Sequence, residues 1–410
     1  MKNLVILGAG TGGTIMANHL ARRLPADWHL TVVDRDDAHV YQPGLLFVPF
    51  GHERPEDLVR PRRRFLPSRA RLVLAAVERV DPDGKVVHLA GSERLRYDLL
   101  IVATGARLAH EATPGLLGAG WGETAHDFYT LAGATRLAPA LDRFTGGRLV
   151  IDVADMPIKC PVAPLELAFL ADAFFTGRGL RDGVEIVLAT PLDGAFTKPV
   201  AARALGHLLA ERRIGLVTDF QADAVDGAAR RLTAYDGRAL DYDLLVMVPA
   251  HRGDAAIEAS GLGDAAGFLP TDRHTLQSRV HEDIFALGDC TDLPTSKAGS
   301  VAHFQAEVLV DNVLRHLGGR PLAPEFDGHA NCFIETGHDK AILIDFAYDT
   351  EPLPGRFPLP GIGPFTLLEE SHANHWGKMA FRWIYWNLLL PAHPIPIEHR
   401  MQMAGKRRAA

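Results

Sequence analysis

Short, wholly apolar runs recur along this chain, each followed by a glycine- or proline-rich turn and then by apolar residues at helical spacing. The run LVIL (residues 4–7) leads into GAGTGG and a helical pattern through Ile15, Met16, His19 and Leu20. A second run at residues 30–33 ends at Asp34. Runs this short, bounded by turn signals, predict strands buried on both faces, as in a parallel sheet covered by helices. Residues 148–176 repeat the form, with a buried strand, a tight connection and an amphipathic helix; a strand at 184–189 and a helix at 199–212 follow.

The pattern also echoes itself. KVVHLAGSERLRYDLLIVATGA (85–106) resembles RLTAYDGRALDYDLLVMVPA (231–250), and each reads as a strand pair around a glycine turn followed by a buried strand. Two copies imply two related domains. After residue 250 the chain returns to the first domain: IFALGD (284–289) is a strand running into Gly-Asp, and residues 302–317 form a helix. From residue 326 the pattern changes. AILIDF (341–346) is expected as a strand, the proline-rich segment 351–364 as loop, and WGKMAFRWIYWNLLL (376–390) as a helix stopped by Pro391. The expectation is an α/β protein with two Rossmann-like dinucleotide-binding domains and a C-terminal membrane-interface extension. Its segments are 1–108 and 251–325 for the first domain, 109–250 for the second and 326–410 for the extension.

Composition narrows the function. Nearly half of the 410 residues are hydrophobic, enough for two cores. The formal net charge of -7 offers no general attraction to phosphate backbones and argues against nucleic-acid binding. Basic clusters at residues 60–64 and 406–408 read as solvated surface. The three cysteines, Cys160, Cys290 and Cys332, lie too far apart for a disulfide scaffold or a zinc site, so no metal is expected. The first strand begins within a few residues of Met1, which predicts no secretory signal and a cytoplasmic location. No apolar run is long enough to cross a bilayer.

The glycine pattern carries the first chemistry. Gly8 allows a tight turn, Gly10 the close approach of a pyrophosphate and Gly13 the packing of helix on strand, while Asp34 is placed to accept from ribose hydroxyls. In the second unit the connection lacks those glycines and carries Cys160 among Pro157, Pro161 and Pro164, and its second strand ends at Thr190 instead of an acid. Lys159 is expected to favour the Cys160 thiolate. The second nucleotide site reads as lost, with sulfur chemistry in its place.

The fingerprint at the start, YDLLIVATGA in the middle and IFALGD late resemble the marks of the two-dinucleotide-domain flavoprotein superfamily. That resemblance implies FAD, held by the fingerprint residues together with Ala103, Thr104, Gly105, Gly288 and Asp289, with the helix after Lys297 aimed at the flavin. Within the superfamily, PIKCPVAP (157–164) and FDGHANC (326–332) resemble the cysteine motifs of sulfide:quinone oxidoreductases, and PTSKAG (294–299) resembles the lysine loop shared with flavocytochrome c sulfide dehydrogenases and type II NADH dehydrogenases. The resemblance implies oxidation of sulfide to sulfane sulfur with reduction of a quinone. Cys332 would be the flavin-facing sulfur, Cys160 the carrier of sulfane sulfur, Lys297 a group that stabilises reduced flavin or orients quinone, and His126 a proton carrier. Many of these enzymes have a third cysteine where this chain has HDFYT (126–130); Cys290, next to the Gly-Asp pair, reads as a small buried side chain. A type II NADH dehydrogenase and a flavocytochrome c flavoprotein subunit stay open as alternatives, as does a non-catalytic flavin-binding sensor.

The 376–390 helix is too short to span a membrane and rich in tryptophan, so it is expected to lie in the interface, with the basic tail meeting anionic lipid. Packing on the protein's own core or on a partner subunit is the alternative. Quinone would enter from the lipid near Phe346, Phe365 and Trp376. The quinone, the sulfur acceptor, the attachment of FAD and any homo-oligomer are left open by the sequence.

Overall fold

The computed structural model describes residues 2–359 and 361–407. Strand Lys2–Leu7 sits at the centre of a parallel five-stranded sheet. Trp28–Asp34 and Ala70–Leu74 extend it on one side, Leu99–Val102 and Ile284–Ala286 on the other. Leu4 and Ile6 face one apolar cluster, Val5 and Leu7 the other, so both faces are covered and the strand has no polar alternation.

The second sheet repeats this order with different pieces of chain. Gly147–Val153 is flanked by Val184–Ala189 and Ile214–Val217 on one side, and by Leu244–Val248 and Ala125–His126 on the other. The two echoed segments occupy equivalent places. Each contributes two strands to a three-stranded antiparallel sheet, then a buried strand parallel to the first strand of its own domain. The chain passes between the domains at Arg107–Ala109 and Ala250–Arg252, which pair antiparallel.

Beyond residue 326 a third sheet starts with the hairpin Ala330–Gly337 and Lys340–Phe346. The segment read as a proline-rich loop is instead a second hairpin, Gly355–Leu359 with Gly363–Leu367. Its prolines are tolerated because Pro358 lies on the edge strand and pairs with Pro364, so no central ladder bond is lost. Pro360, within the same reading, lies outside the described residues.

Helix His372–Ile384 packs on this sheet and continues into a π-turn, Tyr385–Leu389. Ser371 Oγ caps it by accepting from Asn374 N at 3.1 Å. Asn374, fully buried, donates from Nδ2 to the carbonyls of Ala341 (3.0 Å) and Thr366 (2.9 Å) and accepts at Oδ1 from Thr366 N (3.1 Å). The helix is therefore locked to two strands at once.

The π-turn docks on the first domain. Tyr385 Oη lies 2.7 Å from both Thr11 Oγ1, at the start of the fingerprint helix Thr11–Arg23, and His39 Nε2. Asn18 Nδ2 donates to Leu390 O at 3.0 Å, and Trp386 stacks on Phe65 at 5.0 Å. The helical segment is thus divided: Tyr385, Trp386, Leu389 and Leu390 join the protein's own core, while Trp376 and Trp383 are 67% and 61% exposed.

Arg63, Arg64 and Arg407 are exposed, as the solvated-surface reading has it, but three other members of the basic clusters depart from it. Arg62, with a side chain 12% exposed, donates to Ala9 O at 2.8 Å and lies 3.3 Å from Asp34. Arg60 sits over the Trp386 ring at 4.5 Å. The Lys406 ammonium is buried against Asp345 at 2.6 Å. Arg408 lies outside the described residues.

Replacing Asn374 by Ala leaves buried carbonyls and an amide unpaired and should cost about 2–3 kcal/mol locally. Amide exchange across residues 372–384 would then accelerate while that of residues 2–7 stays unchanged; equal protection in both regions would count against this role for Asn374.

Candidate active site

The first domain forms a cradle suited to an anionic nucleotide. A Cβ at Gly8 (φ +96°) would lie 2.3 Å from Ala103 O, and one at Gly13 would lie 1.8 Å from Gly8 O, so neither position tolerates a side chain. A Cβ at Gly10 would meet nothing within 4 Å; that space is open to a ligand. The fingerprint helix has no side-chain cap and no acid in its first turn, and the same holds for helix Gly299–Leu317. Both therefore present free N–H groups and a positive dipole end. Asp34 is fixed by Ala9 N (2.7 Å) and Arg35 N (2.8 Å) and balanced by Arg62, with lone pairs to spare for a ribose. Thr104 Oγ1 is buried without a partner among the described residues, and Gly105 and Gly288 have positive φ with open space where a Cβ would stand. These residues fit a flavin nucleotide: glycines and helix ends for the phosphates, Asp34 for a ribose, and Thr104, Gly288 and Asp289 around the ring and its linker.

The cysteine loop closes this cradle from the second domain. Cys160 N donates to Lys297 O at 2.7 Å, and Lys159 and Lys297 form a parallel bridge, so the two loops continue one another. Tyr129 Oη donates to Cys160 O at 3.1 Å. Cys160 itself has φ +48°, a left-handed conformation that a non-glycine residue holds only when its surroundings impose it. Helix Ala163–Gly177 then carries the chain against strand Ala330–Gly337, where Gly337 (φ +73°) permits contact: a Cβ there would lie 2.9 Å from Phe169 O. That contact brings Cys332 to Cys160. Both are free thiols, half-buried, and each lies within the field of Glu166 and Lys378.

Burial, reinforced by the Glu166 carboxylate, pushes the Cys332 thiol up to about 12 and raises Cys160 further. The cation that most opposes this rise at Cys160 is Lys378, which the sequence did not suggest. The Lys159 ammonium lies in the field of Asp289 and Asp127 first and of Cys160 after them, and sits 5.9 Å from the Tyr129 ring. Burial alone would lower the Lys378 pKa, but Glu166, Cys160 and Glu335 carry it above its usual value. Lys378 Nζ contacts Glu166 and donates to Phe333 O at 3.0 Å; Glu166 also accepts from Glu335 N at 2.7 Å.

The other predicted residues are dispersed. Lys297 is buried, and its Nζ is committed to the carbonyls of Thr291 (2.6 Å) and Asp289 (3.1 Å). His126 lies apart, buried in the second sheet with its ring held at Glu123 O (3.1 Å) and its pKa lowered by burial; its charged neighbours are Arg136, Asp127 and Arg143. Cys290 is buried, its Sγ donating to Val102 O and Leu287 O. Phe365 packs edge-on to Phe333 at 5.2 Å beside Gly377, with Trp376 next along the helix. Phe346 falls on the opposite face of its strand, against Phe196 and Lys198. Sequence reasoning missed Arg62, Glu166, Glu335, His375 and Lys378. The spacing of Cys160 and Glu166 was the one available signal, since six residues across the start of a helix place the carboxylate back over the loop.

Comparison with known proteins agrees with this geometry. The family model described as pyridine nucleotide-disulphide oxidoreductase matches residues 2–153. The mitochondrial sulfide:quinone oxidoreductase of Mus musculus is 26% identical over 394 residues, spanning 94% of this chain and 86% of that protein. Its counterpart in Dictyostelium discoideum is 27% identical over 398 residues, 95% and 86%. The solved sulfide:quinone oxidoreductase of Aquifex aeolicus has the same fold, with a TM-score of 0.79 at 20% identity over 95% of this chain and 92% of that one. Cradle, doubled α/β domains and relatives agree: the chain is a flavin-dependent oxidoreductase of the pyridine nucleotide-disulphide oxidoreductase superfamily, similar over nearly its whole length to sulfide:quinone oxidoreductases.

Proposed function

We propose that the protein binds FAD, oxidises sulfide to sulfane sulfur through a Cys160/Cys332 redox pair, and passes the electrons to a quinone taken from a membrane. The observation that carries this reading is the meeting of two cysteines, 172 positions apart, in one buried environment beside the lysine loop. Bound flavin would supply the capacity to accept an electron pair and release it to quinone. Sulfide is too small to be selected by shape, so capture by a covalent bond is the available route. In the oxidised pair, hydrosulfide attacks one sulfur, a new S–S bond forms, the Cys160–Cys332 bond breaks, and the second sulfur leaves as a thiolate holding the electron pair. Lys378 compensates that charge, and Glu166 holds Lys378 in place. Tyr129 and Lys297 fix the cysteine loop so that the sulfur does not swing away. The NADH dehydrogenase alternative draws less support, because the second unit replaces the glycine turn with the cysteine loop paired to Lys297.

Membrane contact is assigned to the exposed side of the C-terminal domain. Trp376 and Trp383, two turns apart, share a helix face, and Leu359 and Ile362 at the neighbouring hairpin are 56% and 82% exposed. Among the described residues no helix is long and apolar enough to cross a bilayer, so the contact would be peripheral.

In an anaerobic titration, sulfide should bleach the flavin and decylubiquinone restore it. Cys332→Ser should slow the first step by at least about 10³-fold with flavin still bound; bleaching at the wild-type rate would remove the cysteine pair from the reaction. Replacing Trp376 and Trp383 together by Ala should weaken partition onto anionic phospholipid vesicles by about tenfold or more, and an unchanged bound fraction would refute this membrane face.

A further inference from the structure

The reaction proposed above is not proton-neutral. Hydrosulfide oxidised to sulfane sulfur releases two electrons and one proton, whereas a quinone reduced to hydroquinone takes up two of each. One proton per turnover must therefore come from water, yet the charged groups beside the sulfurs are buried.

The structure contains a run of ionisable side chains between that interior and the surface. Glu335, buried on strand Ala330–Gly337, accepts from or shares a proton with His375 Nδ1, at 2.9 Å from Oε1 and 3.1 Å from Oε2. His375, with a side chain 13% exposed, turns its Nε2 toward Asp339, 3.8 Å away on the exposed turn between the two strands. Inward, the charged neighbours of Glu335 are Lys378, one helical turn beyond His375, and Glu166 from the facing helix. Lys378 in turn contacts Glu166, whose field reaches both thiols. Burial holds the Glu335 carboxyl above its ordinary value against the pull of Lys378 and His375, so it can carry a proton that an exposed glutamate would have lost.

Resting on the function proposed above, we propose that Asp339, His375 and Glu335 form the proton inlet from solvent to the Lys378–Glu166 couple, with His375 and Glu335 as the essential carriers. The two ring nitrogens of His375 face opposite ways, one to the surface and one to the interior, the arrangement a proton shuttle needs. Neither residue touches the sulfurs; they act through Lys378 and Glu166.

The test separates the proton-consuming half of the reaction from the sulfide half. Holoenzyme is photoreduced without sulfide, and reoxidation by decylubiquinone is followed by stopped flow in wild type, His375→Ala and Glu335→Gln. The expected result is reoxidation slowed about tenfold or more in both variants, most strongly at alkaline pH, with imidazole restoring much of the rate in His375→Ala but not in Glu335→Gln. Wild-type rates in either variant, or a slowing that is independent of pH and untouched by imidazole, would overturn the inlet. Absent reoxidation in the wild type would overturn it together with the quinone assignment.

Discussion

The backbone hydrogen bond from Cys160 N to Lys297 O joins the two halves of the site. The cysteine loop belongs to the second domain and the lysine loop to the first, and they meet in an isolated parallel bridge between Lys159 and Lys297 across the boundary. Lys297 serves the same joint from its other end. Its ammonium gathers the carbonyls of Asp289 and Thr291 and so sets the turn that would receive the flavin's linker. A lysine buried in this way loses hydration, and its pKa is lowered accordingly. The cost is offset by those two carbonyls and by the attraction of the Asp289 carboxylate, so the lysine ties the loop to the flavin cradle.

Most of the fold was legible because its strands are buried on both faces and announce themselves as unbroken apolar runs. The internal echo carried further still, since residues 85–106 and 231–250 occupy equivalent places in two sheets of one topology. The hairpin at 355–367 was not legible. Proline density hides strands when the prolines lie on an edge, where no hydrogen bond is missed. The helix at 376–390 was legible as a helix but not as a divided one, because tryptophan and leucine serve a core and an interface equally well. Tertiary contacts such as those of Tyr385 with Thr11 and His39 reveal which side is inside.

The site was legible in its sulfurs and glycines and opaque in its charges. Glu166, Glu335, His375 and Lys378 come from three elements spread over 213 positions, and each alone reads as an ordinary polar residue of a helix or strand. Their significance comes from mutual burial, a tertiary property. The same holds for Arg62, which looks like one arginine in a solvated run and is in fact the counter-charge of Asp34 under the nucleotide loop. The expectation that Lys159 would promote the Cys160 thiolate is outweighed by a tertiary effect of the same kind: Lys159 feels Cys160 only after Asp289 and Asp127, and burial raises the thiol.

The buried Lys406 is not an isolated curiosity of the tail. Asp345 shares its carboxylate between that ammonium and His329 Nε2 at 2.7 Å, and His329 lies flat against Phe304 on the helix aimed at the flavin cradle. Shortening the chain before Lys406, or appending a bulky fusion that pulls it out, would strand a carboxylate in a dry interior one register step from Cys332. Any alteration that displaces Lys406 therefore reaches the sulfur site through Asp345.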